Sequence, residues 1–457
     1  MHTLPTDPMS PDSLSPGTTG SGRANGFSRR AFIGGSVAAA GTAAALQLGS
    51  RYAFASPENP AYGDVIVLVF LRGGADGLSL VAPYQMPTYQ ALRPTIRVKA
   101  PSEFPDPTGL AGLPMVQGGA IADFPLSGVF AMHPAMANLH AGPWSAGRLA
   151  VVHAAGMPAS ESDTRSHFDS QKNWEFGGAS WAYNNGFLNR YLLAQPGVDR
   201  IAAVGRGSQL QRSLQGGVPA FSMNSNTSFN VSGFSSNTAA RNALTGFYDN
   251  GTADLLLQTG ANTLAAVGSM AAINFADPRF APQNGAVYPA NDIGGQLKEI
   301  AQLIRANVGL RCVAVDVDGW DTHDGMGAPE DATKWMHIRT AGFADALAAF
   351  SADLGAGMDE VTVLTVSEFG RTINENGSGG TDHGRGNVMF AMGNKIRGGV
   401  YGGFPATIVD GPEGDLTVMN DYRRLVSEVL SVRGGAANLG TVFPSYTQQA
   451  PFGACLP

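Results

Sequence analysis

The chain of 457 residues contains two cysteines, and this scarcity excludes a thiolate metal site. Cys312 lies in a strand-like run and Cys455 in the C-terminal tail, so no second cysteine stands near either one. Nothing in the spacing positions a disulfide between them, although an exported protein could form one. We therefore expect two unpaired thiols and a metal site, if there is one, made of other side chains.

The sequence also lacks an excess of basic residues, a long apolar run and a repeat. Its formal net charge is −7, which argues against binding to nucleic acid or to anionic lipid. Outside the N-terminal segment, no stretch reaches the roughly 20 uninterrupted apolar residues of a membrane span. No internal period is visible, which argues against a repeat protein at the cell surface. The apolar fraction of 44% predicts a globular chain with a sizeable core.

The N-terminal segment has the order of an export signal. Residues 1–26 are polar and are predicted to be disordered; Arg29 and Arg30 then precede an apolar stretch from Ala31 to Leu48. The small-x-small triplet Ala53–Ala55 follows as a cleavage site. A short buried helix after two basic residues is the alternative. Residues 1–55 thus predict a twin-arginine signal, the Tat translocase as a transient partner, and a periplasmic or secreted protein.

The remaining residues, 56–457, alternate between strand and helix patterns. Continuous apolar runs such as 65–71, 311–317 and 361–366 are typical of strands buried on both faces of a parallel sheet. Helical patterns separate these runs, which predicts one α/β domain, a three-layer α/β/α sandwich with a mostly parallel central sheet. A loop-rich insertion is predicted around 206–290, because residues 216–250 are polar and rich in Ser and Asn.

Ligands in such sheets bind at the carboxyl ends of the strands, and polar side chains collect there in this sequence. Carboxylates and imidazoles without thiolates suit zinc, manganese, magnesium or calcium, in one or two ions. The candidate metal ligands are Asp76, Asp318, Asp321, His323, Glu368, Asp382 and His383. Ser166 or Thr164, at a predicted helix start, are the candidate nucleophiles, and Arg371 and Arg385 are candidates to bind substrate oxygens.

Five motifs then support a resemblance to a known family. After the twin-arginine signal, "FLRGGADGLS", "RSHFDS", "DVDGWDTH", "SEFGRT" and "TDHGRGN" follow in this order and resemble the family called domain of unknown function 1501. That family is similar to the alkaline phosphatase and sulfatase superfamily, which implies an alkaline-phosphatase-like core with a two-metal site. The resemblance implies Asp76 for one metal, and Asp318 or Asp321 with His323 for the other. His383 matches the late histidine ligand, and the 160–166 cluster of Ser and Thr stands where the nucleophile is expected.

Two departures from the superfamily pattern stand out. Glu368-Phe369 replaces the usual Asp-His dipeptide, so one imidazole ligand is missing from that strand end. The segment "SESDTRSHF" also lacks the nucleophile pattern of sulfatases, a Cys or Ser followed by Pro-Ser-Arg.

The same residues are also consistent with simpler roles. Asp76 is flanked by glycines, as in a turn, and Glu368 could form an ion pair with Arg371. Asp321 with His323, and Asp382 with His383, could belong to ordinary polar loops. An orienting role for His167 is as consistent with its position as metal ligation.

Two functions follow from the sequence. The first is an exported metal-dependent hydrolase of small anionic phosphate or sulfate esters. The second is a non-catalytic exported protein that keeps the fold for ligand binding or for assembly with a co-exported partner. The missing imidazole at position 369 and the unclear nucleophile favour the second.

Overall fold

The computed structural model describes residues 64–116, 129–179, 184–198, 201–231, 237–248, 255–406, 408 and 414–457. The export signal and cleavage site predicted over residues 1–55 lie outside the described residues, and so do parts of the predicted insertion. No helix in the described ranges is both long and apolar enough to cross a membrane. Cys312 and Cys455 are both buried free thiols, as expected from the sequence.

The described part of the chain contains strands and helices in alternation. The strands are β1 Val65–Leu71, β2 Val81–Ala82, β3 Leu113–Pro114, β4 Ala131–Met132, β5 Leu149–Gly156, β6 Ala203–Arg206, β7 Phe221–Met223, β8 Cys312–Val317, β9 Val361–Val366, β10 Asn387–Met392, β11 Gly399–Tyr401 and β12 Asn420–Asp421. The α-helices are α1 Gly77–Leu80, α2 Pro87–Leu92, α3 Ala137–Leu139, α4 His167–Phe176, α5 Phe187–Leu193, α6 Asn237–Tyr248, α7 Leu255–Ala271, α8 Asp292–Arg305, α9 Trp335–Leu354, α10 Tyr422–Glu428 and α11 Leu439–Val442.

The central sheet has the strand order β11-β5-β10-β9-β1-β8-β6-β7, and β12 pairs with β5. β1 lies in its middle and pairs in parallel with β8 on one side and β9 on the other. β6 continues the parallel arrangement beside β8, and β7 beside β6. β10 runs antiparallel to both β9 and β5. A mostly parallel sheet is confirmed, with β10 as the reversed strand.

Alternating side chains of β1 place the sheet between two helical layers. Val67 and Val69 belong to a buried cluster that includes residues of α8 and α9. Ile66, Leu68 and Phe70 point to the opposite face, where the buried cluster includes residues of α4, α5 and α10. Successive strand residues face opposite sides, so an unbroken apolar run is what a strand covered on both faces needs. The three-layer α/β/α prediction is confirmed.

The segment predicted as loop-rich contains the helix α6, which its polar composition did not indicate. In α6, Ala240 is fully buried and Leu244 and Tyr248 are half-buried, so one side chain per helical turn faces inward. Gly260 of α7 lies against the Tyr248 ring, where a Cβ would come within 2.3 Å of a ring carbon. Gly260 therefore lets the ring of Tyr248 pack directly against the backbone of α7.

The carboxyl ends of β1, β8 and β9 come together at one edge of the sheet, and glycine makes the closest approach possible. Gly73, just after β1, has a φ of +117°. A Cβ on Gly73 would lie 2.5 Å from the backbone nitrogen of Asp321, in the loop after β8. The loops after these two neighbouring strands therefore touch through their backbones, which brings the polar residues that follow them together.

This contact predicts a stability difference between two glycine substitutions. Gly109 also has a positive φ, +74°, but nothing lies within 4 Å of its Cβ position. Gly109→Ala should cost about 1 kcal/mol for the left-handed backbone. Gly73→Ala should cost about 1–3 kcal/mol more, since its methyl group also collides with backbone atoms. Urea denaturation of both variants measures the difference; equal losses would contradict the close approach.

Candidate metal centre

The candidate centre draws its side chains from four segments at this edge of the sheet. His167 is the first residue of α4, directly after Ser166, whose hydroxyl caps the helix. Asp321 and His323 lie in the loop after β8. His383 lies in a hairpin where its backbone bridges that of Arg371, in the segment after β9. His167 lies 154 positions before Asp321 and 216 positions before His383, so only the folded sheet brings these residues together.

Four side chains converge, and we call His167, Asp321, His323 and His383 the histidine cluster. Ligand atoms of His167, Asp321 and His383 all lie within 4.8 Å of one another. The Nε2 atom of His323 lies 3.0 Å from Nε2 of His383 and 3.1 Å from Oδ1 of Asp321. The Nε2 atom of His167 lies 3.5 Å from Oδ2 of Asp321. Three imidazole nitrogens thus surround one carboxylate.

The other ring nitrogen of each histidine is held by an oxygen. Nδ1 of His167 lies 2.9 Å from Oε1 of Glu368, and Nδ1 of His323 lies 3.0 Å from Oδ1 of Asp382. Nδ1 of His383 lies 3.0 Å from the carbonyl oxygen of Arg165. An ionised carboxylate or a carbonyl can only accept, so each Nδ1 carries the proton and donates it. In the neutral ring, the Nε2 lone pair then faces Asp321.

The electrostatics of the carboxyl groups agree with their acceptor roles. The hydrogen bond from His323 holds the pKa of Asp382 below its ordinary value. Burial raises the pKa of Glu368, but hydrogen bonds from His167 and Gln171 outweigh it and leave that pKa lowered. Burial also raises the pKa of Asp321, and the hydrogen bond and charge of Arg371 reverse this effect. All three are therefore carboxylates at neutral pH.

The histidines respond to these neighbours in different directions. The hydrogen bond to Glu368 raises the pKa of His167, which makes the ring a stronger base. Burial, together with the positive charge of Arg371, lowers the pKa of His383. His383 is therefore neutral near pH 7, with a lone pair available at Nε2.

A cation fits the donors of the histidine cluster. With each Nδ1–H donated to an oxygen, the Nε2 atoms of His323 and His383 lie 3.0 Å apart and can direct lone pairs at each other, which is unfavourable without a proton or a metal between them. In the described part of the chain, the buried Nε2 of His167 has no hydrogen-bond partner. The side chains of His323 and Asp321 are 45% and 47% exposed, so one side of the cluster is open to solvent. These residues could hold one divalent cation with room for a further ligand.

Phe369, which stands where a ligand histidine was expected, packs beneath the cluster. Its ring centroid lies 4.9 Å from that of His167 and 4.7 Å from that of His383. The ring also fills the space beside Gly74, where a Cβ would come within 2.4 Å of it. Phe369 therefore gives the histidines an apolar floor, which shields their buried hydrogen bonds from water.

Two predicted ligands lie outside the cluster. Asp76 is fully buried, and its two oxygens accept from Arg93 at 2.6 and 3.0 Å. It also caps α1 by accepting from the backbone nitrogen of Leu78. A guanidinium thus takes the place of a metal at Asp76, which has the structural turn role. Asp318 is exposed and is not among the converging residues.

Two further predicted ligands contact histidines instead. Glu368 is 3% exposed, and its Oε1 accepts from three donors. Asp382 accepts from His323 and from Asn376. Their carboxylates were assigned to a metal because residue type alone cannot separate a ligand from a group that orients one.

The two predicted substrate-binding arginines are engaged within the protein. Arg371 is fully buried; it donates to the carbonyl oxygens of Gly73, Gly74, Thr381 and Trp320, and to Asp321.

Arg385 forms ion pairs with Asp163 and Asp415, the second at 3.1 Å. Glu368 does not pair with Arg371, because the Arg371 guanidinium is turned towards the loop carbonyls named above.

The two predicted nucleophiles have local structural contacts. The Ser166 hydroxyl accepts from the Asp169 nitrogen at 3.4 Å, a long capping bond. The Thr164 hydroxyl accepts from the Ser166 nitrogen at 3.1 Å. Thr164 and Arg385 also line a pocket of about 20 Å³ beside Glu368 and Phe369. That volume suffices for about one water molecule.

His167 joins the cluster, whereas the sequence left its role open between orientation and metal ligation. The sequence contains one indication of a site role for His167. This residue follows a helix cap in "TRSHF", and the ring of a first-turn residue can face the sheet edge. What the sequence could not show was that this helix start lies against the ends of β8 and β9.

Comparison with known proteins identifies the family. Residues 64–418 match the family model described as "Protein of unknown function (DUF1501)". The chain belongs to this family. All four residues of the histidine cluster lie in the part that matches the DUF1501 model. No curated protein sequence matches this DUF1501 chain.

One solved structure was found to be similar to the DUF1501 chain. It is the lipoteichoic acid synthase LtaP from Listeria monocytogenes, at 11% identity and a TM-score of 0.24. The alignment covers 73% of this chain and 66% of that one. A likeness at this level supports no inference about the activity of the DUF1501 chain.

The Asp76–Arg93 pair gives a prediction that separates structural from metal-binding roles. Asp76→Asn leaves the buried Arg93 without its counter-charge and should lower the free energy of unfolding by about 3–5 kcal/mol. Bound metal per folded chain should not change, since Asp76 lies outside the histidine cluster. Chemical denaturation and elemental analysis test both parts. Loss of metal with unchanged stability would restore Asp76 as a ligand.

Proposed function

We propose that this protein is an exported metal-dependent hydrolase of phosphate or sulfate esters, with one divalent cation in the histidine cluster. The observation that supports the metal is the arrangement of the three histidines. Each donates from Nδ1 to an oxygen and directs Nε2 towards the Asp321 carboxylate. Metal-bound histidines commonly have this second hydrogen bond, because it fixes the tautomer and the orientation of the ring.

The donor set favours zinc among the four candidate metals. Three imidazoles and one carboxylate suit zinc, whereas magnesium and calcium prefer sites made of oxygen atoms. His167, His323, His383 and Asp321 would hold the ion, which would act as a Lewis acid towards an ester oxygen. A second ion has less support, since Asp76 is paired with Arg93 and a single group of converging ligands occurs in the described ranges.

The position of the 160–166 segment beside the cluster supports an anionic ester as substrate and a hydroxyl of this segment as nucleophile. Ser166 precedes His167, and within the described ranges its hydroxyl makes the 3.4 Å capping bond noted above and no other. Thr164 shares a pocket with Arg385. We propose that one of these hydroxyls attacks the phosphorus or sulfur centre while the P–O or S–O bond to the alcohol breaks, and that the hydroxyl proton passes to the departing oxygen. Water would then hydrolyse the covalent intermediate and release phosphate or sulfate, with Arg385 exchanging Asp163 for a substrate oxygen.

Export rests on the sequence alone. The order of Arg29-Arg30, the apolar stretch and the Ala53–Ala55 triplet supports passage through the Tat translocase to the periplasm or beyond.

Metal analysis tests the centre. Protein purified without chelator should carry about one equivalent of a divalent metal, with zinc favoured, and an excess of chelator should lower its melting temperature. His323→Ala should reduce the metal content, whereas His140→Ala, whose ring binds the carbonyl of Pro114, should retain it. Less than about one-tenth equivalent in the native protein would refute a resident metal.

Turnover of aryl phosphate and aryl sulfate esters tests the reaction. Because Lewis-acid stabilisation is worth several kcal/mol, Asp321→Ala should lower kcat/KM by about 100-fold or more. Equal turnover by the native protein and this variant would place any activity elsewhere.

A non-catalytic role is the second candidate, and the arginines favour it. Arg371 and Arg385 are both held by carboxylates or carbonyls, so neither presents an unoccupied fork to an anionic substrate. In that case the cluster would serve ligand binding or assembly with a co-exported partner. A metal-loaded protein that turns over neither class of ester would support this role over the first.

A further inference from the structure

Glu368 is bound too completely to serve as a ligand. Its Oε1 accepts from the Gly73 nitrogen at 2.8 Å, from Nδ1 of His167 at 2.9 Å and from the Gln171 amide at 2.9 Å. Its Oε2 lies 3.1 Å from the Ser367 hydroxyl, whose shorter contact, at 2.7 Å, is with the carbonyl oxygen of Leu71. The side chain is fully buried. A carboxylate in this environment keeps its charge because several donors surround it.

The same oxygen fixes the position of the helix that carries His167. Gln171 lies four residues after His167, so both side chains leave α4 on the same face. Both donate to Oε1 of Glu368, which attaches the first turn of the helix to the end of β9 at two points. The Phe369 ring packs on His167 beside this contact. The imidazole can therefore neither flip nor turn away without breaking a buried charged hydrogen bond.

We infer that Glu368 is a positioning residue that acts through His167, and that His167 supplies the imidazole missing at position 369. The ligand comes from α4 rather than from the strand end, and Glu368 holds it there in the Nδ1–H form. Glu368 also lends negative charge to the ring, which strengthens Nε2 as a metal ligand. This inference rests on the proposed function for the presence of a metal, but the tautomer and orientation of His167 stand apart from it.

Asp382 provides an internal comparison. It accepts from Nδ1 of His323 in the same way, but its side chain is 61% exposed, against 0% for Glu368. Water can replace an exposed carboxylate as the acceptor from Nδ1, whereas no water replaces a buried carboxylate. The inference therefore requires a larger effect from Glu368 than from Asp382.

Metal affinity is the first measurement. Glu368→Gln keeps an oxygen for the three donors, and its new amide faces the Ser367 hydroxyl, so the variant should fold. Competition with a zinc-binding dye should show an affinity about 10–100-fold weaker than in the native protein. Asp382→Asn should show a smaller loss.

Glu428→Gln is the matched control. Glu428 is 4% exposed and also accepts from three donors, the backbone nitrogens of Phe452, Gly453 and Cys455. No histidine is among these partners, so the affinity for zinc should stay at the native value. An unchanged affinity in Glu368→Gln, or an equal loss in Glu428→Gln, would overturn the positioning role.

Nitrogen-15 NMR of the metal-free protein tests the inference if no metal is bound at all. His167 should show a protonated Nδ1 in the native protein and should lose this single tautomer in Glu368→Ala, which removes the acceptor oxygen. A native His167 protonated at Nε2 would overturn the inference, even if the cluster binds zinc. Absence of zinc binding with the expected tautomer would instead refute the proposed function and leave the positioning of His167 intact.

Discussion

The guanidinium of Arg371 is the contact on which the arrangement of the site depends. It is buried, and its three nitrogens bind carbonyl oxygens from the loop after β1, the loop after β8 and the hairpin that carries His383, together with the Asp321 carboxylate. Carbonyl groups at strand ends would otherwise lack partners in a buried setting. A single charged side chain thus joins three loops and sets the position of the carboxylate at the centre of the cluster.

This arrangement also explains why charge is tolerated at the sheet edge. Arg371 meets Asp321, Arg93 meets Asp76, and His167 meets Glu368. Each of these buried carboxylates and guanidiniums has an opposite charge or several hydrogen-bond donors around it, as burial of ionised groups requires. The carboxylates of this edge therefore fall into two groups. Most support the fold or a histidine, and Asp321 alone of the described carboxylates joins the converging ligand atoms.

The central strands could be predicted from the sequence because strands buried on both faces are continuous apolar runs. β1 and β9 have the predicted bounds, and β8 begins one residue later than predicted. Asp321, His323 and His383 were predicted to meet, and they do, because parallel strands end at one edge. α6 was hidden in a polar segment, since its three inward residues have their partner on another helix.

One physical cause explains why several predicted ligands lie outside the histidine cluster. Whether a carboxylate binds a cation, a guanidinium or an imidazole depends on which side chain, distant in sequence, lies beside it in the folded protein. Asp76 is taken by Arg93, 17 positions away, and Glu368 by His167, 201 positions away. Neither partner is adjacent in the chain, so no local pattern could show it. Phe369 takes the place of an imidazole expected from the superfamily pattern, and its ring packs beneath two histidines of the cluster.

The spread of the cluster along the chain has a consequence for folding. His167 and His383 are 216 positions apart, and their rings pack with centroids 4.5 Å from each other. An unfolded chain holds these groups far apart and offers no comparable site. Any cation bound here therefore favours the folded state by its full binding free energy. Chelation would then shift the unfolding equilibrium of the whole domain rather than loosen one loop.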